Sequence, residues 1–444
     1  MNKTIRIAII ALTILANAGA SAQSYEQSVE ANKRNDFATA LVGFKKLAQQ
    51  GDARAQYDLG SMYAKGTGVA KDETQALAWW RKSADLGDAY AQEKIGSAYA
   101  TGTGMPQDHQ LAALWYRKAA DQGHLGALFK LGVMYSNGTG VAKDFQQAAA
   151  WWRKAAAQNS ISAQFNLGNM YSDGQGVPKD DQQAVFWWRK AADLGFDQAQ
   201  FNLGRMFYDG TGVPKDDEQA VFWWQKAAEQ GLAAAQLATG AMFAKGTGVR
   251  KDEQLAVKWY RKAAEQGFAN AQYQLGWMYG NGRGVTKDSK VAVEWYRKAA
   301  EQGQVPAMYA LGIALSDGTG VIRDEPQAVF WWNKAAEQGH VDAQVNLGVM
   351  YAHGTGIAQD SQQAVRWYQK AADSGDASAQ YNLGMMYAKG TGVPQNMATA
   401  YFWLLLSSGQ GNQLAMKVRD ISVKYLTPQA RANAEDSARA WKPR

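Results

Sequence analysis

A period of 36 residues runs through this chain and restricts what it can fold into more than any other feature. Gly68, Gly104, Gly140, Gly176, Gly212, Gly248, Gly284, Gly320, Gly356 and Gly392 follow one another at that step. Gly60, Gly66 and Gly87 recur with the same step, and Asn159 replaces the last of these once. These slots, with Gly51 as one more copy, take 40 of the 45 glycines. An aromatic pair keeps the spacing from Trp79-Trp80 to Trp367-Tyr368, and Trp403 stands in the last copy. No insertion or deletion interrupts residues 52–411. Such a chain builds one supersecondary unit per repeat, and each unit buries its apolar face only against its neighbours.

Each unit reads as two helices. In residues 52–87, Ala55, Leu59, Met62 and Tyr63 share one helical face. Gly60 interrupts that helix, where it costs about 1 kcal/mol against alanine, so close approach of a neighbouring helix is the expected reason for it. Gly66-Thr67-Gly68 ends the helix, since glycine takes the left-handed backbone of a C-cap. Asp72 then caps the second helix, and Gln75 completes a capping-box pattern. Ala76, Trp80 and Ala84 form the inward stripe, and Gly87 ends the helix; Asn tolerates the same left-handed backbone at Asn159.

The flanks differ. Met1 to Ala22 reads as a secretory signal: Lys3 and Arg6, an apolar run Ile7 to Ala16, and the small-x-small site Ala20-Ser21-Ala22, with the mature chain starting at Gln23. Removing it takes the net charge from +7 to +5. Nothing later is apolar enough to cross a membrane, and export without cysteine fits a bacterial periplasm. Residues 23–51 form an N-terminal helical cap without the glycine loop, 52–411 the ten repeats, and 412–444 a C-terminal helical cap that Thr427-Pro428 reopens.

The pattern Ala-Gln-Tyr-x-Leu-Gly-x-Met-Tyr-x-x-Gly-x-Gly-Val-x-x-Asp, followed by Ala-x-x-Trp-Trp-Arg-Lys-x-Ala, resembles the Sel-like repeat family, glycine-looped relatives of tetratricopeptide repeats. The resemblance implies an all-α fold: a right-handed α-solenoid superhelix of helix-turn-helix repeats whose first helices line a concave groove. It also implies an adaptor that holds proteins or peptides. Some cysteine-rich secreted members have been associated with β-lactam binding or hydrolysis.

Catalytic signatures are missing. No serine has a lysine three residues on, and there is no Gly-x-Ser-x-Gly elbow. His109, His124, His340 and His353 lack metal-ligand spacing and read as surface or loop residues. No catalytic residue, metal or cofactor is expected. The basic balance comes largely from the repeated Arg-Lys, as in Arg81-Lys82, with Asp or Glu a turn later, which argues against nucleic acid. Trp80 and its copies read as core. Trp79 lies about 100° around the helix, so its copies are read either as packing between units or as an aromatic ladder for sugars.

Tetratricopeptide geometry, taken by resemblance, puts the slots of Arg54, Tyr57, Asp58 and Ser61 in the groove. Asn166, Asn202, Asn346 and Asn382 occupy Asp58's slot; Asn is a poor mid-helix residue, and its amide both donates and accepts. They serve either an extended peptide backbone or the neighbouring helix. Arg205, Tyr273, Trp277 and Tyr309 depart toward bulky binding types, which makes units five to eight the expected hot spot. The expected function is a periplasmic scaffold docking protein or peptide partners. The alternatives are a glycan-binding scaffold in polysaccharide or cell-wall processes and a hydrolase of β-lactams or cell-wall material.

Overall fold

The computed structural model describes residues 25–443, so the signal-peptide reading lies outside the described residues. These residues form α-helices with one 3-10 turn, Val423–Tyr425, and among them there is no strand. Two compact units divide at Asp216/Asp217. The first runs from a helix at 25–33 to the helix Asp197–Asp209; the second runs from Asp217–Glu229 to Pro428–Ala440.

Within each unit the repeat is a pair of 13-residue helices, such as Ala53–Lys65 and Glu73–Asp85. Gly66, at φ 71, closes the first helix in left-handed geometry. The Asp72 carboxylate accepts the Gln75 N–H at 2.9 Å. The reciprocal half of the expected capping box is not made. The Asp72 N–H donates instead to the Tyr63 carbonyl at 3.0 Å, and the same bond recurs from Asp108 to Tyr99 and from Asn396 to Tyr387. One aspartate thus starts the second helix and ties its backbone to the end of the first.

The glycine inside the first helix makes room for a ring of the second. A Cβ on Gly132 would lie 2.4 Å from the Trp152 indole nitrogen, and one on Gly348 would lie 2.4 Å from the Tyr368 ring. Trp152, Trp188, Trp224 and Trp332 are buried, as the inward stripe requires. Asn159 has φ 62, the left-handed backbone expected of a glycine substitute.

A buried amide ladder joins successive repeats. The Gln92 amide donates to the Ala84 carbonyl at 3.2 Å, and its oxygen accepts from Gln122 at 2.9 Å. The unit recurs at Gln272 with Gln302 and at Gln380 with Gln410. Where the outer partner is Leu86, Leu194 or Ser374, the buried Oε1 of Gln56, Gln164 or Gln344 is left without a partner. An unsatisfied buried acceptor costs about 1–3 kcal/mol. Leu194 is 51% exposed, so Leu194→Gln loses little apolar burial. The substitution should raise stability by about 1 kcal/mol, read as a higher urea midpoint; an unchanged midpoint would show that Gln164 is satisfied by solvent.

At the C-terminal end, the helix Pro428–Ala440 packs on Met397–Gly409, where the Tyr401 hydroxyl lies 3.0 Å from Glu435, and Trp441 meets Trp403 edge-on.

Candidate functional site

The first helices turn Ala55, Leu59 and Met62 into the core and leave the slots of Arg54, Tyr57, Asp58 and Ser61 exposed or half-buried, with the buried Glu93 as the exception in Tyr57's slot. Of the expected groove residues, Asn166, Asn202 and Arg205 belong to the first unit. Asn166 and Asn202 are half-buried, make no side-chain hydrogen bond, and stand on adjacent first helices; Arg205 is exposed. Asn166 lines a cavity of about 330 Å³ with Phe145, Trp152 and Asn169. Asn169, which sequence reasoning passed over, accepts the Trp188 indole N–H at 3.0 Å.

Tyr273, Trp277, Tyr309, Asn346 and Asn382 belong to the second unit. Trp277 is 40% exposed. Tyr273 packs its ring 5.9 Å from Tyr296. Tyr309 stacks on His340 at 4.4 Å, with Asn346 of the next repeat beside its hydroxyl. Burial pushes the Tyr273 and Tyr309 phenols up, so both present neutral hydroxyls. Asn346 lies beside the Tyr309 hydroxyl, whereas Asn166, Asn202 and Asn382 are half-buried with no side-chain hydrogen bond.

Two histidines read as surface or loop residues are helix caps on the groove side. His124 accepts the Ala127 N–H at 3.2 Å through Nδ1, and His340 accepts that of Ala343 at 3.4 Å. The signal was positional: both occupy the slot that is Asp52 in the first repeat. Burial holds both imidazoles below their ordinary pKa. Protonation removes the Nδ1 acceptor and puts a cation at a helix N-terminus. The folded state therefore binds fewer protons than the unfolded one. The stability these caps contribute is complete above about pH 6.5, the ordinary imidazole pKa, and is lost as the pH falls through the depressed folded values. His124→Asn with His340→Asn keeps a capping oxygen and should flatten the fall in melting temperature between about pH 7 and pH 5. An equally steep fall in the double variant would assign it to other groups.

The sugar-ladder reading of Trp79's slot is corrected by its burial. Trp115, Trp151, Trp223, Trp259, Trp331, Trp367 and Trp403 are 4–8% exposed. Trp79, Trp187 and Trp295 are half-buried. A lysine from the same helix lies over most of these rings, as with Lys82 at 4.1 Å from Trp79 and Lys154 at 4.1 Å from Trp151. The arginines reach toward the following repeat, Arg81 over Trp115 and Arg153 to the Tyr171 hydroxyl. The basic slots thus cover tryptophan instead of forming a free cationic stripe. Among the described residues no cluster of His, Asp or Glu has the arrangement of a metal site, and no helix is long and apolar enough to cross a membrane.

Stacked helix pairs with variable side chains on one face and a uniform glycine–aromatic frame behind them define a helical-repeat scaffold. The Sel1 repeat model matches ten successive segments, from 53–88 and 89–124 through 377–412, and the chain belongs to the Sel1 repeat family. Sel1 repeats are protein-interaction modules, and proteins built from them are generally non-enzymatic scaffolds. No curated protein matches the chain. Among solved structures it is similar to c5321, a protective antigen present in uropathogenic Escherichia coli strains and displaying an SLR fold. That match has 35% identity and a TM-score of 0.89, and covers 97% of this chain and 93% of that one. It is also similar to a Sel1 repeat protein from Oxalobacter formigenes, with 36% identity and a TM-score of 0.57, covering 74% of this chain and 93% of that one.

Proposed function

We propose that this protein is a periplasmic adaptor that docks a segment of a partner protein along the groove face of its first helices. The observation that carries the reading is a division of labour among slots. Glycine, alanine and tryptophan slots are consumed by packing, whereas the groove slots keep exposed or half-buried aromatics and the unpartnered amides of Asn166, Asn202 and Asn382. Aromatics supply anchoring area at low entropic cost, and amides can pair with an extended backbone. The periplasmic part rests on the basic start, the Ile7 to Ala16 run, Ala20-Ser21-Ala22 and the absence of cysteine.

Asn166→Ala combined with Asn202→Ala should release a partner captured by cross-linking in the native periplasm. The melting temperature should barely move, because neither amide makes a side-chain hydrogen bond and alanine is the better helix former. Lost stability with unchanged capture would make these asparagines framework residues. Cell fractionation and the mass of the mature N-terminus test the address.

A further inference from the structure

The groove slot of Tyr57 holds an apolar or aromatic residue in every repeat but the second, where it holds Glu93. That carboxylate is 7% exposed. A buried carboxylate persists only when paired, and this one is paired twice, with Lys94 at 3.2 Å and with Lys130 of the next repeat. Two ammonium groups share one carboxylate, leaving one net positive charge. Both lysine side chains keep about 40% of their surface, 40% for Lys94 and 39% for Lys130, so the charge faces solvent. Each ammonium has three donors and gives Glu93 one; Lys130 also lies over the Tyr116 ring at 5.1 Å, so Lys94 keeps the freer donors.

Beside Lys94 opens a cavity of about 210 Å³. Its floor is apolar, with Leu77, Trp80 and Ala98. Trp80 is half-buried, unlike Trp152 or Trp188 in the same slot, and its indole N–H is already given to the Tyr57 carbonyl at 3.1 Å. The Thr101 hydroxyl on the wall is committed to the Ser97 carbonyl at 3.0 Å and is 2.7 Å from the Thr103 hydroxyl. The Ser97 hydroxyl, also on the wall, makes no hydrogen bond. Lys71 on the rim is neutralised by Glu73 at 3.0 Å. The cavity therefore offers one cation, one hydroxyl and an apolar floor within the same small volume.

A ligand that satisfies this must carry a carboxylate next to an apolar group. An internal aspartate or glutamate keeps its carboxylate on a different residue from any apolar side chain; the last residue of a chain carries both on one Cα. We propose that the Glu93–Lys94–Lys130 cluster, through Lys94 and the cavity that Lys94 lines, binds the free C-terminal carboxylate of a peptide whose final side chain is apolar. Lys94 is the primary cation, Lys130 the flanking one, and Glu93 holds both ammonium groups toward the groove. The inference deepens the docking function and rests on it: it names what one end of the docked segment must look like.

The test titrates the whole chain by fluorescence anisotropy with fluorescein-labelled pentapeptides that differ only in the last residue, each as free acid and as amide, with labelled acetyl-leucine as a single-residue control. Acids ending in Leu, Met, Ile or Phe should bind. Amidation should weaken them roughly tenfold or more, the worth of one charge-assisted hydrogen bond. Lys94→Gln should erase the difference between acid and amide, and Lys94→Arg should retain it. If Lys94→Gln fails to fold, the acid–amide comparison on the unsubstituted chain decides alone. Equal binding of acid and amide, no binding by any acid, or preference for Asp at the last position overturns the site. Binding of the single-residue control as tight as the pentapeptide overturns a peptide as its ligand. If acid and amide bind alike while Asn166→Ala with Asn202→Ala still releases the captured partner, groove docking stands and carboxylate recognition falls.

Discussion

Gly168→Ala should destabilise the first unit by about 2–3 kcal/mol although alanine is the better helix former by about 1 kcal/mol. The added Cβ would lie 2.4 Å from both Cδ1 and Nε1 of Trp188. That ring cannot retreat: it is 1% exposed and its indole N–H is held by Asn169 at 3.0 Å. Trp188→Ala alone should cost about 3–5 kcal/mol, the range for emptying a buried aromatic site. In the Trp188→Ala background the added methyl enters space already vacated, so Gly168→Ala should turn neutral or stabilising by up to about 1 kcal/mol. A double-mutant cycle read from denaturant midpoints should therefore give a coupling of about 2–4 kcal/mol. An additive cycle would separate the glycine from the ring and leave the repeated Gly60 slot without its steric reason. Because repeats couple mainly to neighbours, hydrogen exchange should place the loss around the helices Ile161–Asp173 and Asp181–Asp193.

The glycine and tryptophan slots were legible because their period is absolute and their residue types have few physical explanations. What escaped reading depends on the neighbouring repeat, which a single helical wheel does not contain. Trp79's direction was ambiguous on its own helix; an arginine or lysine and the next unit decide it. The Glu93–Lys130 pair lies 37 residues apart and joins adjacent slots of successive repeats, so it emerges only when repeats are laid in register. The buried ladder through Gln92 and Gln122 has the same character, with partners 30 residues apart. The missing half of the capping box is a backbone matter: the Tyr63 carbonyl takes the N–H that a Gln75 side chain would have claimed, and no residue type announces that. The histidine caps were visible in principle, since His124 and His340 stand where Asp52 stands.

The two glycines of each loop share a backbone conformation but not a role, and alanine variants should separate them from each other and from the glycine that ends the second helix. Gly195, at φ +91, has nothing within 4 Å of a built Cβ. Gly195→Ala should cost only the left-handed penalty, about 1–2 kcal/mol. Gly174, at φ +71, would bring its Cβ 3.2 Å from the Lys179 Cβ and 3.4 Å from its backbone nitrogen, a contact that a shift of a few tenths of an ångström relieves, so Gly174→Ala should cost somewhat more. Gly176, at φ +70, would bring its Cβ 2.4 Å from both carbonyl atoms of Phe145, in the first turn of the preceding repeat's second helix. Main chain cannot step aside without opening the contact between two repeats, so Gly176→Ala should cost more than about 4 kcal/mol, beyond the usual range of single substitutions. Asparagine discriminates the two causes, because it tolerates φ > 0 while still carrying a Cβ. Gly195→Asn should be near neutral, as the native Asn159 at φ 62 attests for that slot, and Gly174→Asn should recover much of the alanine loss. Gly176→Asn should recover nothing. If asparagine restores Gly176 as well as it restores Gly174, the second glycine is only a turn residue, and the repeat-to-repeat contact at Phe145 tolerates a side chain.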